Sequence, residues 1–145
     1  MRSCINILLA LTLSACATGP KYSVIKTSFQ PLATDEGRIF FYRSYNPFGS
    51  ATQPSVMLNG EKVGDSVPGG FFFVNREPGN YEVVLSTKPK KKLTFTLDEA
   101  QEQYVRMSIV LGVIAGRVYP ELVDKTTAES EMQGLSFAGT TAKGE

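Results

Sequence analysis

Histidine and tryptophan are absent from this 145-residue chain, and cysteine occurs only at Cys4 and Cys16. Without an imidazole there is no Ser-His-Asp triad and no Cys-His pair, because both need a ring nitrogen to take up the nucleophile's proton. Zinc sites built on His or Cys are excluded on the same ground, so no metal and no other cofactor is expected. An excess of one charge is also missing. Lys and Arg number 15 against 14 Asp and Glu, which gives no basic face for nucleic acid. No Gly-x-x-x-x-Gly-Lys phosphate loop occurs, nor any long helical period or strand–helix alternation. The apolar run at residues 5–13 falls short of the roughly 20 residues of a spanning helix.

What is there begins with that run. Arg2 is a short positive region, INILLALTL the apolar core, and Ser14 and Ala15 the small residues that follow. This is the order of a secretory signal peptide. Leu13-Ser14-Ala15-Cys16 resembles the lipobox of bacterial lipoproteins. A thiol is the nucleophile suited to accept a diacylglyceryl group, and small side chains let a peptidase reach the backbone. The resemblance implies thioether lipidation of Cys16, cleavage before it and acylation of the new amine. Cys4 then leaves with the leader, no disulfide can form, and basic and acidic residues balance. Two or more acyl chains make the anchor effectively permanent. Residue 17 is Ala rather than the Asp associated with inner-membrane retention, so the resemblance implies the outer membrane, facing the periplasm.

About 130 residues remain, enough for one domain. Residues 16–36 read as the lipidated cysteine and a polar tether, with Tyr22, Val24, Ile25 and Phe29 free to dock on the domain. From Arg38 the chain reads as strands. RIFFYRSY is aromatic and β-branched enough to be covered on both faces. Asn59-Gly60 between short apolar runs predicts a two-residue hairpin, since a type I′ turn needs positive φ at both positions. Further strands are expected at 71–75, at 81–86 and in KKLTFTL, 91–97. In them Tyr81, Val83 and Leu85 share one face, and so do Leu93, Phe95 and Leu97. In YVRMSIVLGV, Val105, Met107, Ile109 and Leu111 point one way while Tyr104, Arg106 and Ser108 point the other. A last strand is expected near 117–123. Seven to eight short strands with turn chemistry between them predict an all-β sandwich over 37–124. Residues 125–145 read as a short helix, capped by Thr127 and ended by Gly134, followed by a mobile tail.

Four stretches in this order are similar to a family of small bacterial lipoproteins built on a single uncharacterised domain. They are Gly37 with RIFFYR, VMLNG with Val63-Gly64, Glu77-Pro78-Gly79 with Tyr81, and QYVR at 103–106. The Pro-Gly-x-Tyr element resembles PEGA-type β-domains. The resemblance implies a transthyretin-like or carboxypeptidase-regulatory-like sandwich, and it carries over no catalytic residue.

Candidate contact residues follow from exposure and charge. KPKKK at 88–92, including Lys90 and Lys91, reads either as a contact for anionic head groups or an acidic partner, or as a solvated hairpin loop that blocks edge pairing. FFF must place one ring opposite its neighbours, so Phe71 or Phe73 is a possible contact unless both faces are covered. Phe48, in the NPFGS break, raises the same question. Asp98, Glu99 and Glu102 cluster, but they read as a solvated turn rather than as a glycosidase pair. The expectation is therefore a non-enzymatic, lipid-anchored interaction or accessory module. Its contacts would be the membrane, through Cys16, and an envelope protein. The alternative is binding of a glycan or lipid in an aromatic cleft lined from Phe40, Tyr42, Phe71 or Phe73.

Overall fold

Gly37–Arg43, which form β1, are buried at all seven positions, and this strand organises everything around it. The computed structural model describes residues 17–88, 90–112 and 116–139; the lipobox, with Cys16, lies outside them. After β1 come β2 (Ser55–Leu58), β3 (Glu61–Asp65), β4 (Gly70–Arg76) and β5 (Gly79–Leu85). These are followed by β6 (Lys92–Leu97), β7 (Glu102–Leu111), β8 (Gly116–Val123) and β9 (Ser136–Phe137). A helical turn, α1 (Tyr22–Ile25), precedes the strands, and α2 (Lys125–Met132) sits between β8 and β9. The nine strands among the described residues form two sheets, ordered β8-β7-β1-β4-β9 and β3-β2-β5-β6. The architecture is the expected all-β sandwich, with one strand more than the pattern predicts.

Both edges of β1 are paired, antiparallel to β4 with Phe41 opposite Phe72, and parallel to β7 with Phe40 opposite Tyr104. Alternation then sends its side chains to two separate cores. Ile39 and Phe41 face the other sheet and pack with Val56, Leu58, Val83, Leu85 and Leu97. Phe40 and Tyr42 face outward, where Phe71 and Tyr104 lie under a cover made by Tyr22, Ala128, Met132 and Leu135. The molecule thus has three layers: sheet, sheet, and a cover built from the two ends of the chain.

Local chemistry explains the turns. Asn59 and Gly60 have φ of 47° and 81°, the doubly positive pair of a type I′ hairpin. The Asn59 side chain also accepts from the Glu82 amide at 2.7 Å, which locks the β2–β3 hairpin to β5. Tyr81 donates its hydroxyl to the Glu77 carbonyl at 2.6 Å, so the Pro-Gly-x-Tyr element is a turn closed by its own tyrosine. Gly64 is there because of Phe72: a Cβ at this position would meet the ring at 2.6 Å.

Several expectations need correction. The first strand ends at Arg43, two residues early, because the chain leaves the sheet there. The cap of α2 is Asp124, whose carboxylate accepts from both the amide and the hydroxyl of Thr127; Thr127 is the donor. The stretch expected to be a tether is packed down instead. Lys21 bridges Ser136, the Tyr22 amide donates to the Leu135 carbonyl at 2.9 Å, and Tyr22 is buried. Of the four apolar residues proposed to dock, Tyr22, Ile25 and Phe29 do, while Val24 is exposed. Leu111 is also exposed, although alternation put it inside with Met107.

Candidate functional site

Two regions of the surface combine exposed apolar groups with charge. One lies at the end of the sandwich where β1 finishes. Gly70 pairs with Arg43 at that level, and β7 runs on past it through Met107 to Leu111 before turning into β8. Arg43 is fully buried there and has no carboxylate among its bonded partners. Its guanidinium donates to the carbonyls of Thr52 (2.6 Å), Ser66 (3.0 Å) and Gly49 (2.8 Å). Burial pushes its pKa below the usual guanidinium value. These bonds fix the loop at 44–53, which holds Tyr45 and Phe48 out in solvent. The β5–β6 loop reaches the same end: Thr87 donates to the Val118 carbonyl and Lys91 stands 5.4 Å over the ring of Tyr119. Ala17 is there too, since a Cβ on Gly70 would lie 3.1 Å from that of Ala17.

The other region is a groove of about 640 Å³ along the outer edge of β4, where β9 stops pairing after Phe71. Phe29, Phe73 and Phe137 line it together with Arg38 and Arg76. Arg38 lies over the Phe73 ring at 4.7 Å and donates to the Asn75 side chain at 2.9 Å and to the Gln30 carbonyl at 2.7 Å. Desolvation lowers its pKa. Arg76 reaches Glu61 at only 3.8 Å.

The carboxylates of the outer face are committed to cations. Glu131, on α2, accepts from Tyr42 at 2.5 Å and from Arg106 at 2.6 Å. Glu121 accepts from Arg106 at 3.0 Å and from Ser108, and these bonds hold it below the usual carboxylate range. Burial alone would raise Glu102, but bonds from Lys125 and Tyr104 bring it below normal. Glu121 and Glu131 both accept from Arg106, which lies between them.

Set against these regions, the sequence candidates divide. Phe48, Lys90 and Lys91 are exposed and lie on loops at the same end of the sandwich. Phe73 lines the groove. Phe71, offered as a possible contact, is fully buried beneath Tyr22 and presents nothing to a partner. Phe40 and Tyr42, expected in an aromatic cleft, are buried as well. Cys16 lies outside the described residues. Sequence reasoning missed Arg38, Arg43, Tyr45, Val110 and Leu111. The two arginines did leave a signal, since they bracket an otherwise apolar strand.

A family model described as a protein of unknown function, DUF2846, matches residues 33–118. No curated protein and no solved structure matches the chain. The matched span covers β1 to β7 and the start of β8; the segments that cover the outer face flank it.

Proposed function

The chain belongs to the DUF2846 family of proteins of unknown function, and from that premise we propose that it is a lipoprotein anchored through Cys16 at the periplasmic face of the outer membrane. In this reading it works as a non-enzymatic interaction or accessory module. The lipobox supplies the address. The observation that carries the reading is the position of Ala17 beside Gly70: the folded domain starts one residue after the lipobox cysteine, where cleavage would leave the new terminus. The commitment of Glu102, Glu121 and Glu131 to cations supports a binding role over acid–base chemistry.

The test is mass spectrometry of the membrane-bound protein and of Cys16→Ser after gentle crosslinking in the intact envelope. An N-terminus at Cys16 carrying acyl mass, with a co-purifying envelope protein lost in Cys16→Ser, is the expected result. A free Cys16 or an uncleaved leader overturns the lipoprotein reading.

A second reading has its own observation. The groove beside Phe73 is apolar, open and lined by two guanidinium groups, a chemistry that suits a small amphiphile with an anionic head.

A further inference from the structure

Six large hydrophobic residues are exposed among the described residues, and four of them stand at the β1-terminal end: Tyr45 and Phe48 at 70% exposure, Leu111 at 66% and Val110 at 54%. They come from two different elements. Arg43 holds the loop that carries the first pair, and the second pair is the tip of the β7–β8 hairpin, where Leu111 pairs with Gly116. Sheet order places β7, β1 and β4 side by side, and a Cβ on Gly49 would meet the Ile109 side chain at 2.8 Å, so the loop and the hairpin lie against each other at the end of the sandwich where Ala17 sits beside Gly70.

Basic side chains at this end outnumber the carboxylates. Lys90 and Lys91 lie in the loop beside β8, and Arg117 pairs with Val110 at the hairpin tip. The carboxylates at this level are paired, Asp65 with Lys62 at 3.0 Å and Glu121 with Arg106 at 3.0 Å. Residue 16 is one peptide from Ala17, and consecutive Cα atoms are about 3.8 Å apart.

We propose that this end is a membrane-docking face: with the lipid on Cys16 inserted, Tyr45, Phe48, Val110 and Leu111 enter the head-group region of the same leaflet, and Lys90, Lys91 and Arg117 contact anionic phosphates. The inference rests on the lipoprotein reading and adds to it that the domain lies on the bilayer instead of standing off it. Aromatic rings and basic side chains around an apolar tip suit the interface between water and hydrocarbon. Anionic lipid attracts lysines within a Debye length of the surface. The absence of a spacer after Cys16 brings the face to the surface that it fits.

Because the chain has no Trp, Phe48→Trp, Leu111→Trp and Glu61→Trp each introduce a single reporter. Glu61 lies at the far end of the sandwich, beside the Asn59-Gly60 turn. All three positions are exposed, and thermal melts identify the variants that keep the fold. Each acylated, full-length-processed protein is reconstituted into phosphatidylethanolamine/phosphatidylglycerol vesicles containing a brominated lipid. The expected result is a blue-shifted emission and loss of most of it at positions 48 and 111, with neither at 61. Weaker quenching after Lys90→Glu with Lys91→Glu is expected as well. Unquenched emission at both 48 and 111 in a protein whose mass shows acylated Cys16 overturns the docking face, leaves the anchor standing and gives the patch to a protein partner. An unacylated Cys16 overturns the anchor, and the docking face falls with it.

Discussion

Arg43 donates to the carbonyl of Gly49 at 2.8 Å, and through this bond a buried strand residue sets the shape of an exposed loop. Three carbonyls lose their donor in Arg43→Met, and a bond from a charged donor contributes about 1.5–3 kcal/mol. The variant should lose about 3 kcal/mol or more in urea unfolding. A Trp at position 48 should also show lower anisotropy in its presence. Unchanged anisotropy with reduced stability would mean that Arg43 supports the core without ordering the loop.

Tyr22, Tyr42 and Tyr104 are all pushed above the ordinary phenol value, first by burial and then by neighbouring glutamates. For Tyr22 the value rises to about 12. An unfolded tyrosine ionises near pH 10, so between about 10 and 12 the unfolded state has released a proton that the native state keeps. The stabilisation from Tyr22 is fully present below about pH 10 and falls by about 1.4 kcal/mol per pH unit above it. Urea melts on either side of that pH, with the tyrosinate absorbance followed in parallel, should show stability dropping before the buried phenols ionise. Tyr22→Phe should flatten that part of the profile, and an unaltered slope would count against the assignment.

Glu131 ties α2 to the sheet by accepting from Tyr42 and from Arg106. Glu131→Gln keeps the shape and removes the charge. The Arg106–Glu131 pair is about one-third exposed on each side, so its loss should cost about 1 kcal/mol or less. Tyr42 should nevertheless titrate at lower pH, because the carboxylate helps to hold its proton. A phenol titration that matches the parent protein would show that burial alone accounts for the shift.

The two sheets were legible in the sequence, and their cover was not. Alternation in KLTFTL and NYEVVL marks inward faces that the structure keeps, and Asn59-Gly60 marks a turn whose φ angles agree. Leu111 departs from its pattern because the strand outruns the sheet that faces it, so nothing remains to bury it. The cover left little signal for physical reasons. α2 buries only Ala128 and Met132, β9 has two residues, and Tyr22 finds Phe71 and Leu135 at long sequence separation. Phe71 and Phe72 were indistinguishable until register assigned one to each core. At the candidate sites, Phe48, Lys90 and Lys91 could be named singly from composition and turns. Their meeting at one end depends on strand order.

Met132 tests whether that cover is part of the domain. It is fully buried against the outer face of the sheet, and Met132→Ala should cost about 2–5 kcal/mol by transfer and cavity terms together. A single cooperative transition shifted to lower urea is the expected melt. Loss of a separate early phase with an unshifted main transition would mean that the cover is an appendage and the sandwich is stable without it.

The groove makes a prediction that separates its two guanidinium groups. Arg38 is stacked on Phe73 and tied to Asn75 and Gln30, whereas Arg76 donates to the adjacent Asn75 carbonyl at 3.0 Å and reaches the exposed Glu61 at 3.8 Å. An anionic head group should therefore meet Arg38 as a fixed site and Arg76 as a more exposed, less firmly held one. In calorimetric titration with oleate below its micellar concentration, Arg38→Met should abolish measurable binding. Glu61→Gln frees Arg76 from an exposed pair of about 0–1 kcal/mol and should tighten binding by no more than about 5-fold. A neutral alkyl maltoside supplies the same chain without the charge. If it binds as well as oleate, the groove recognises only apolar chains and the arginines belong to the structure. If oleate alone binds, the head group is what the guanidinium groups select.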